Sequence, residues 1–128
     1  MLDAVMAKLV AAGVLGGSPA FLGFIGYSPD ANDYIVSLYN TGGSKQPTLA
    51  GDVNEETIQI RVRTAYLDYA GCEAQWRRVF NALQDQAISN SGVDIYMLQA
   101  INSGPLFFYD AKQRPNATLN MTVLQKRP

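Results

Sequence analysis

The sequence predicts an α+β fold, in which two α-helices pack on one face of an antiparallel β-sheet that closes with a C-terminal β-hairpin. The first observation is a strict alternation at 57–64, where Ile58, Ile60 and Val62 share one face, as in a strand buried on one side only. The second is a change to helical spacing over 68–85, which predicts an amphipathic helix soon after that strand. A strand and a helix patterned this sharply predict the centre of the core.

The predicted helix at 68–85 has its own start signal. Asp68 can cap the first turn with its carboxylate, and Gly71 is the one poor helix former inside it. The predicted core face carries apolar residues at helical spacing: Tyr69, Cys72, Trp76, Val79, Phe80 and Leu83. Cys72 is expected to be a small buried thiol rather than a nucleophile, because the chain has no His to activate it.

The N-terminal part predicts one helix and two strands. Residues 2–12 carry an apolar stripe at helical spacing, and the Gly-Gly-Ser-Pro run at 16–19 breaks the chain. Residues 20–27 and 34–40 have strand patterns and are separated by a turn cluster at 28–33. This order predicts the start of a meander.

The stretch 41–56 is poor in apolar residues and rich in Gly, Asn and charged residues, which predicts a long flexible loop. A loop of this length in a compact domain usually binds something, so it is a candidate partner-binding arm; the alternative is a disordered insertion without a function. The glycines do not have the spacing of a phosphate-binding loop, and no helix is predicted to follow. The candidate residues of the arm are Gly42, Gly43, Ser44, Lys45, Gln46 and Asp52.

The C-terminal part predicts a connector at 87–92, a strand at 94–102 that is apolar on both faces, and a final hairpin. The hairpin would pair the apolar run 106–109 with a strand in which Leu119, Met121 and Val123 share one face. Met121 is expected to join Ile58, Ile60, Trp76 and Phe80 in one core.

The composition argues against several classes of function. A chain of 128 residues fits one domain, 1–128, and 10 Lys and Arg against 11 Asp and Glu give a net charge of -1, which disfavours sequence-specific nucleic-acid binding. The chain has no His, one Cys and no nucleotide-binding glycine motif, so the sequence predicts no cofactor, no metal and no enzyme. No apolar run approaches the ~20 residues of a membrane span, and the N-terminus lacks the basic region of a signal peptide. These features predict a soluble protein made inside the cell, without a membrane contact.

The polar face of the predicted central strand places Arg61 and Arg63 side by side. One interpretation is an ordinary solvated sheet face. The other is a docking face for the carboxylates of a neighbouring subunit, because guanidinium groups suit bidentate contacts at interfaces. Together with Tyr39, these two arginines form the candidate subunit interface.

Short motifs follow one another along nearly the whole chain, at 25–30, 36–43, 58–63, 82–83, 110–115 and 119–123. In this order they resemble the tail terminator or minor capsid (tail completion) proteins of long-tailed bacteriophages. The predicted hairpin turn, with Asp110, Lys112 and Arg114, is part of the resemblance. One departure is Gln113, because the family pattern carries a glycine just before the arginine of this turn.

The resemblance implies a structural virion protein that assembles as a homo-oligomeric ring, a hexamer to match a sixfold tail, at the head-proximal end of the tail tube. Its partners would be other copies of itself, the tail tube protein and a head-completion or connector protein, while genomic DNA passes through without sequence-specific binding. Such a protein is made in the cytoplasm of the bacterial host and resides in the virion tail or neck. The alternatives are a head-to-tail joining or neck protein of the connector and a small-ligand binding module.

Overall fold

A computed structural model describes residues 1–15, 19–23, 29–30, 32–42, 53–90 and 92–126 of the chain, without the side chain of Phe21. These residues form two helices, α1 (Leu2–Ala11) and α2 (Tyr69–Leu83). They also form seven strands: β1 (Ala20–Gly23), β2 (Ile35–Gly42), β3 (Val53–Arg63), β4 (Ile88–Asn90), β5 (Val93–Ala100), β6 (Leu106–Tyr109) and β7 (Pro115–Lys126). The predicted α+β class is confirmed.

The seven strands form one sheet in the order β1-β2-β3-β7-β5-β4, with β6 also paired to β7. The sheet is mixed: β1 and β2 run parallel, and every other described pair is antiparallel. The predicted meander at β1 and β2 is therefore wrong, and the sheet is not antiparallel throughout. Alternation of apolar residues predicts that a segment is a strand, but it carries no information about the direction of its partner.

The strands β3 and β7 form the centre of the sheet. Their register places Ile58 opposite Met121 and Ile60 opposite Leu119, so the buried faces of both strands coincide. Buried side chains of both helices join these positions in one hydrophobic cluster, which includes Leu9 of α1 and Val79 of α2. The strict alternation read from the sequence therefore identifies the core face of the sheet.

The helix α2 begins as predicted. The Asp68 carboxylate accepts a hydrogen bond from the Gly71 backbone N–H at 3.0 Å, and it caps the first turn. A Cβ at Gly71 would lie 2.3 Å from Asp68 Oδ2, so the carboxylate in its present position fits only against glycine. Any larger residue would push the capping carboxylate aside.

Trp76 is fully buried, as predicted, and its ring stacks on Phe80 at 5.2 Å between centroids. The indole N–H donates to the Thr118 carbonyl of β7 at 2.9 Å, and the Asn102 side-chain amide donates to the same oxygen at 3.1 Å. Gln75 is also buried, although it falls on the polar face of the helical pattern. Its amide donates to the Val14 carbonyl at 2.8 Å, so a hydrogen bond to the segment after α1 explains its burial.

Three predictions for the sheet differ from the structure. The ends of the predicted loop 41–56 belong to strands, since β2 continues to Gly42 and β3 begins at Val53. The predicted connector 87–92 contains β4, which pairs with β5. The strand β5 is buried at Ile95 and Leu98, but Tyr96 between them is exposed, so it is not covered on both faces. At the ends of 41–56 and within 87–92, a backbone ladder with a neighbouring strand outweighs the local composition.

Candidate functional site

The hairpin between β6 and β7 turns at residues 110–114. The Gln113 N–H donates to the Asp110 carbonyl at 3.0 Å, and the Asp110 N–H donates to the Arg114 carbonyl at 3.4 Å. This is the pattern of a turn followed by a bulge whose first residue is left-handed, and Gln113 has a φ of 55°. Glycine would hold this conformation without strain, so the departure noted in the sequence falls at the one position of the turn that favours glycine.

The Asp110 side chain organises this turn. Its Oδ1 accepts from the backbone N–H groups of Lys112 at 2.9 Å and of Arg114 at 3.0 Å, and its Oδ2 accepts from Arg114 Nε at 2.7 Å. Burial alone would raise the pKa of Asp110, but these hydrogen bonds from Arg114 and Lys112 lower it. The carboxylate therefore remains ionised and keeps the turn closed.

Arg114 connects the hairpin turn to the segment that precedes β2. The side chain is 4% exposed and forms ion pairs with Asp30 and with Asp33, the latter at 3.4 Å, in addition to Asp110. Lys112 also pairs with Asp30, at 2.7 Å. Hydrogen bonds from Lys112 and then Arg114 lower the pKa of Asp30 from 3.8 to about 2. A buried guanidinium is tolerated here because three carboxylates surround it.

Arg63 is buried, so it does not share the exposed surface that was predicted for it and Arg61. Its guanidinium donates to the backbone carbonyls of Pro29 at 2.6 Å and Asp33 at 3.2 Å, and also to that of Asn32. Burial, followed by the charge of Arg114, lowers the pKa of Arg63. The residue lies on the polar face as predicted, but the segment before β2 covers it, and no alternation pattern reveals such a cover.

Arg63 and Arg114 thus hold the same segment from two sides. We call this group the arginine clamp: Arg63 and Arg114 together with residues 29–30 and 32–33. It lies at the end of the sheet where β3 ends and β7 begins. The predicted turn residues Asp110, Lys112 and Arg114 are all part of it or in contact with it.

Arg61 is half-buried on the face of the sheet opposite the core. Its guanidinium lies between two rings, 5.3 Å from the Tyr39 centroid and 5.0 Å from the Phe108 centroid. One guanidinium nitrogen donates to Gln59 Oε1 at 3.3 Å, whereas the buried Nε has no hydrogen-bond partner. Tyr39 is fully buried beneath it, so of the three residues predicted for a subunit interface only Arg61 reaches the surface.

Among the residues predicted for a partner-binding arm, Gly42 is the last residue of β2, with a φ of 87°. Its carbonyl accepts from the Thr57 hydroxyl at 2.9 Å. The others, Gly43, Ser44, Lys45, Gln46 and Asp52, lie outside the described residues.

The surface that sequence analysis missed is β6. All four of its side chains are apolar or aromatic, and they are between 40% and 57% exposed: Leu106, Phe107, Phe108 and Tyr109. The Tyr69 ring packs edge-on against Phe107 at 6.0 Å and against Tyr109 at 5.6 Å. The signal in the sequence was the lack of any polar alternation in this run, which is unusual for a strand with solvent on its faces.

The described residues offer little catalytic chemistry. Burial raises the pKa of the Cys72 thiol to about 11, so it remains protonated at neutral pH. No group of three or more His, Cys, Asp or Glu within the described ranges could hold a metal ion. No helix in the same part of the chain is long and apolar enough to cross a membrane.

Comparisons with known proteins agree with the resemblance seen in the sequence. A family model described as bacteriophage tail terminator protein matches residues 5–123. A solved structure of the virion of a native gene transfer agent particle contains a chain with the same fold, at a TM-score of 0.72 and 19% identity, over 97% of this chain and 92% of that one. A second solved chain aligns with a TM-score of 0.59 and 15% identity, over 99% of this chain and 95% of its own length. No curated protein matches the sequence.

Proposed function

Because the chain belongs to the bacteriophage tail terminator protein family, a family of structural virion proteins, we propose that it forms a ring at the head-proximal end of the phage tail tube. In that position it stops polymerisation of the tube and offers the surface to which the head connector attaches. The observation that carries this proposal is the family match over 5–123, which runs from the first helix into the last strand. A match of that length covers the core of the fold rather than one motif.

The charge of the chain supports a conduit for DNA rather than a DNA-binding protein. Its net charge is -1, and the buried arginines Arg63 and Arg114 are used within the arginine clamp, where backbone carbonyls and carboxylates occupy them. Each phosphate contact would hold a strand that must move through the ring, so a nearly neutral wall suits passage. DNA therefore passes through without sequence-specific binding, and the protein performs no catalysis.

The arginine clamp contributes to assembly by fixing one end of the sheet. Arg63 and Arg114 keep residues 29–30 and 32–33 against the hairpin turn, while Lys112 and Asp30 remain largely exposed as an ion pair at the surface. Surface pairs of this kind contribute little to stability but can select a partner through charge. In our proposal this end meets another virion component, the tube protein or the connector protein, and Arg61 lies in the contact between copies.

The test measures the oligomeric state of the purified protein and its effect on the length of tail tubes. The purified protein should give a closed ring, six copies in a sixfold tail, by native mass spectrometry and negative-stain electron microscopy. Added to polymerising tail tube protein, it should cap the tubes at one end and limit their length. A monomer that leaves tube length unchanged would contradict the proposal, and a ring that binds only the connector would favour a head-to-tail joining protein.

A further inference from the structure

The strand β6 lies at an unprotected edge of the sheet. Within the described residues it pairs only with β7, and the chain from 101 to 109 contains no charged residue. Natural proteins usually protect such edges with lysine, proline or a bulge within the strand, because a free edge invites pairing with another chain. The strand β6 is short, with four residues, but it has no lysine, proline or bulge, and all four side chains are apolar or aromatic.

The hairpin geometry shows which backbone groups of β6 do not bond to β7. The Asp110 N–H donates to the Arg114 carbonyl, so this pair is hydrogen-bonded, and antiparallel pairs alternate between bonded and non-bonded. Tyr109, opposite Pro115, is therefore a non-bonded position, and so is Phe107. The Pro115 carbonyl accepts from the Thr64 N–H, which lies on the side of β7 that faces β3. This is the direction that the alternation requires. The backbone N–H and C=O of Phe107 and Tyr109 thus point away from β7.

The exposed area around this edge is close to the size of an interface. About half of each β6 side chain is exposed. At roughly 200 Å² for a large side chain, the strand presents about 400 Å². Tyr66 and Leu67, 62% and 52% exposed, precede Tyr69, whose ring contacts Phe107 and Tyr109. With them the surface reaches about 600 Å², against about 800 Å² per partner in a stable complex.

Leu67 gives a second indication that this surface binds a protein. It is exposed, and its φ of 57° is a left-handed conformation that a leucine rarely adopts. Glycine or asparagine would hold the turn at lower cost, so neither backbone preference nor core packing explains the leucine. Backbone strain of this kind clusters at functional sites.

We propose that the free edge of β6 pairs with the outer edge of β1 in a second copy of this chain, so that the sheets of neighbouring copies join. The proposal rests on the ring proposed above, because a closed ring needs two different, complementary surfaces on each copy. The strand order provides them: β1 stands at the opposite extremity of the sheet from the side on which β6 pairs, and Leu22 of β1 is exposed. Tyr66 and Leu67 extend the contact beyond the paired strands.

Charge at the free edge tests the pairing. Phe107→Lys with Tyr109→Lys places two cations where the next copy would add its strand, and it should weaken ring formation at least ~tenfold in native mass spectrometry. Tyr96→Lys is the matched control, because Tyr96 is an equally exposed strand residue on β5 that should leave the ring intact. A double variant that forms rings at wild-type concentrations would overturn the inference and leave the proposed function standing. A wild-type protein without any ring would instead refute the proposed function.

Disulfide trapping identifies the occupant of the edge, and it decides the question if the lysine variant does not fold. Phe107→Cys and Leu22→Cys are made in separate chains, and the buried Cys72 does not interfere because its pKa is about 11. Mixed and oxidised under ring-forming conditions, the two variants should give a disulfide-linked dimer that neither gives alone. A dimer from Phe107→Cys alone would show β6 against β6. Rings without any mixed dimer, or trapping of Phe107→Cys only by the tail tube protein, would equally overturn the pairing with β1.

Discussion

Replacing Arg63 and Arg61 separately by Met distinguishes a residue that holds the fold from one that lies at its surface. Arg63 donates three hydrogen bonds to backbone carbonyls of the segment before β2, and it is buried. Arg61 donates one bond, at 3.3 Å, and contacts two rings. Met keeps the apolar stem of each arginine and removes the charge and the donors.

The expected magnitudes differ clearly. Hydrogen bonds from a charged donor contribute about 1.5–3 kcal/mol each to stability. In Arg63→Met, part of this loss is offset, because the freed carbonyls can bind water and no buried charge has to be desolvated. The free energy of unfolding should therefore fall by about 2–4 kcal/mol. Arg61→Met should cost about 1 kcal/mol or less, since cation–π contacts at partly exposed sites contribute ~0.5–1 kcal/mol each.

Urea unfolding measures this difference. The single buried Trp76 reports the transition by fluorescence. With m near 2 kcal/mol/M, the midpoint should fall by roughly 1–2 M for Arg63→Met and by no more than about 0.5 M for Arg61→Met. Equal losses, or a larger loss at Arg61, would refute the assignment of Arg63 to the arginine clamp.

Three further predictions concern the turn, the core and pH. Gln113→Gly should raise the free energy of unfolding by up to ~1 kcal/mol in thermal melts, because it removes left-handed strain, whereas Gln113→Ala should give no such gain. Trp76→Ala should cost about 3–5 kcal/mol and abolish assembly together with folding. Trp76→Phe should lower the free energy of unfolding by only about 1–2 kcal/mol, because the Thr118 carbonyl keeps the Asn102 amide as a donor. Equal losses for Trp76→Ala and Trp76→Phe would contradict this. Asp30→Asn removes a carboxylate whose pKa is lowered to about 2 by hydrogen bonds from Lys112 and Arg114. The stability that this pKa shift contributes is present above pH ~4 and is lost as the pH falls towards ~2. The urea midpoints of Asp30→Asn and wild type should therefore differ fully at pH ~6 and converge near pH ~2. A difference that does not depend on pH would argue against the ion pairs.

The parts of the fold that depend on periodicity were predictable from the sequence. Alternation at Ile58 and Ile60 identified the central strand and its buried face, and helical spacing with Asp68 as cap identified α2. The parallel pairing of β1 with β2 was not predictable, because side-chain period is the same for both strand directions. The strand β4 was too short for a period to be recognised.

The candidate site was only partly predictable, because its residues act through contacts between distant parts of the chain. The sequence placed Arg63 on the polar face, but residues 29–30 and 32–33, which cover it, are some thirty residues earlier, as the Arg63 hydrogen bonds to Pro29 and Asp33 show. The turn residues Asp110 and Arg114 were identified by resemblance, whereas their connection to Asp30 required the tertiary structure. The free edge of β6 follows from sheet topology, which composition does not encode.

The most direct test of the proposed function is a cryo-electron microscopy map of an assembled tail that contains this protein. We expect one closed ring of copies between the last layer of tube protein and the head connector, with a central channel open to DNA. Copies stacked along the tube, or single copies placed elsewhere on the particle, would contradict the proposal.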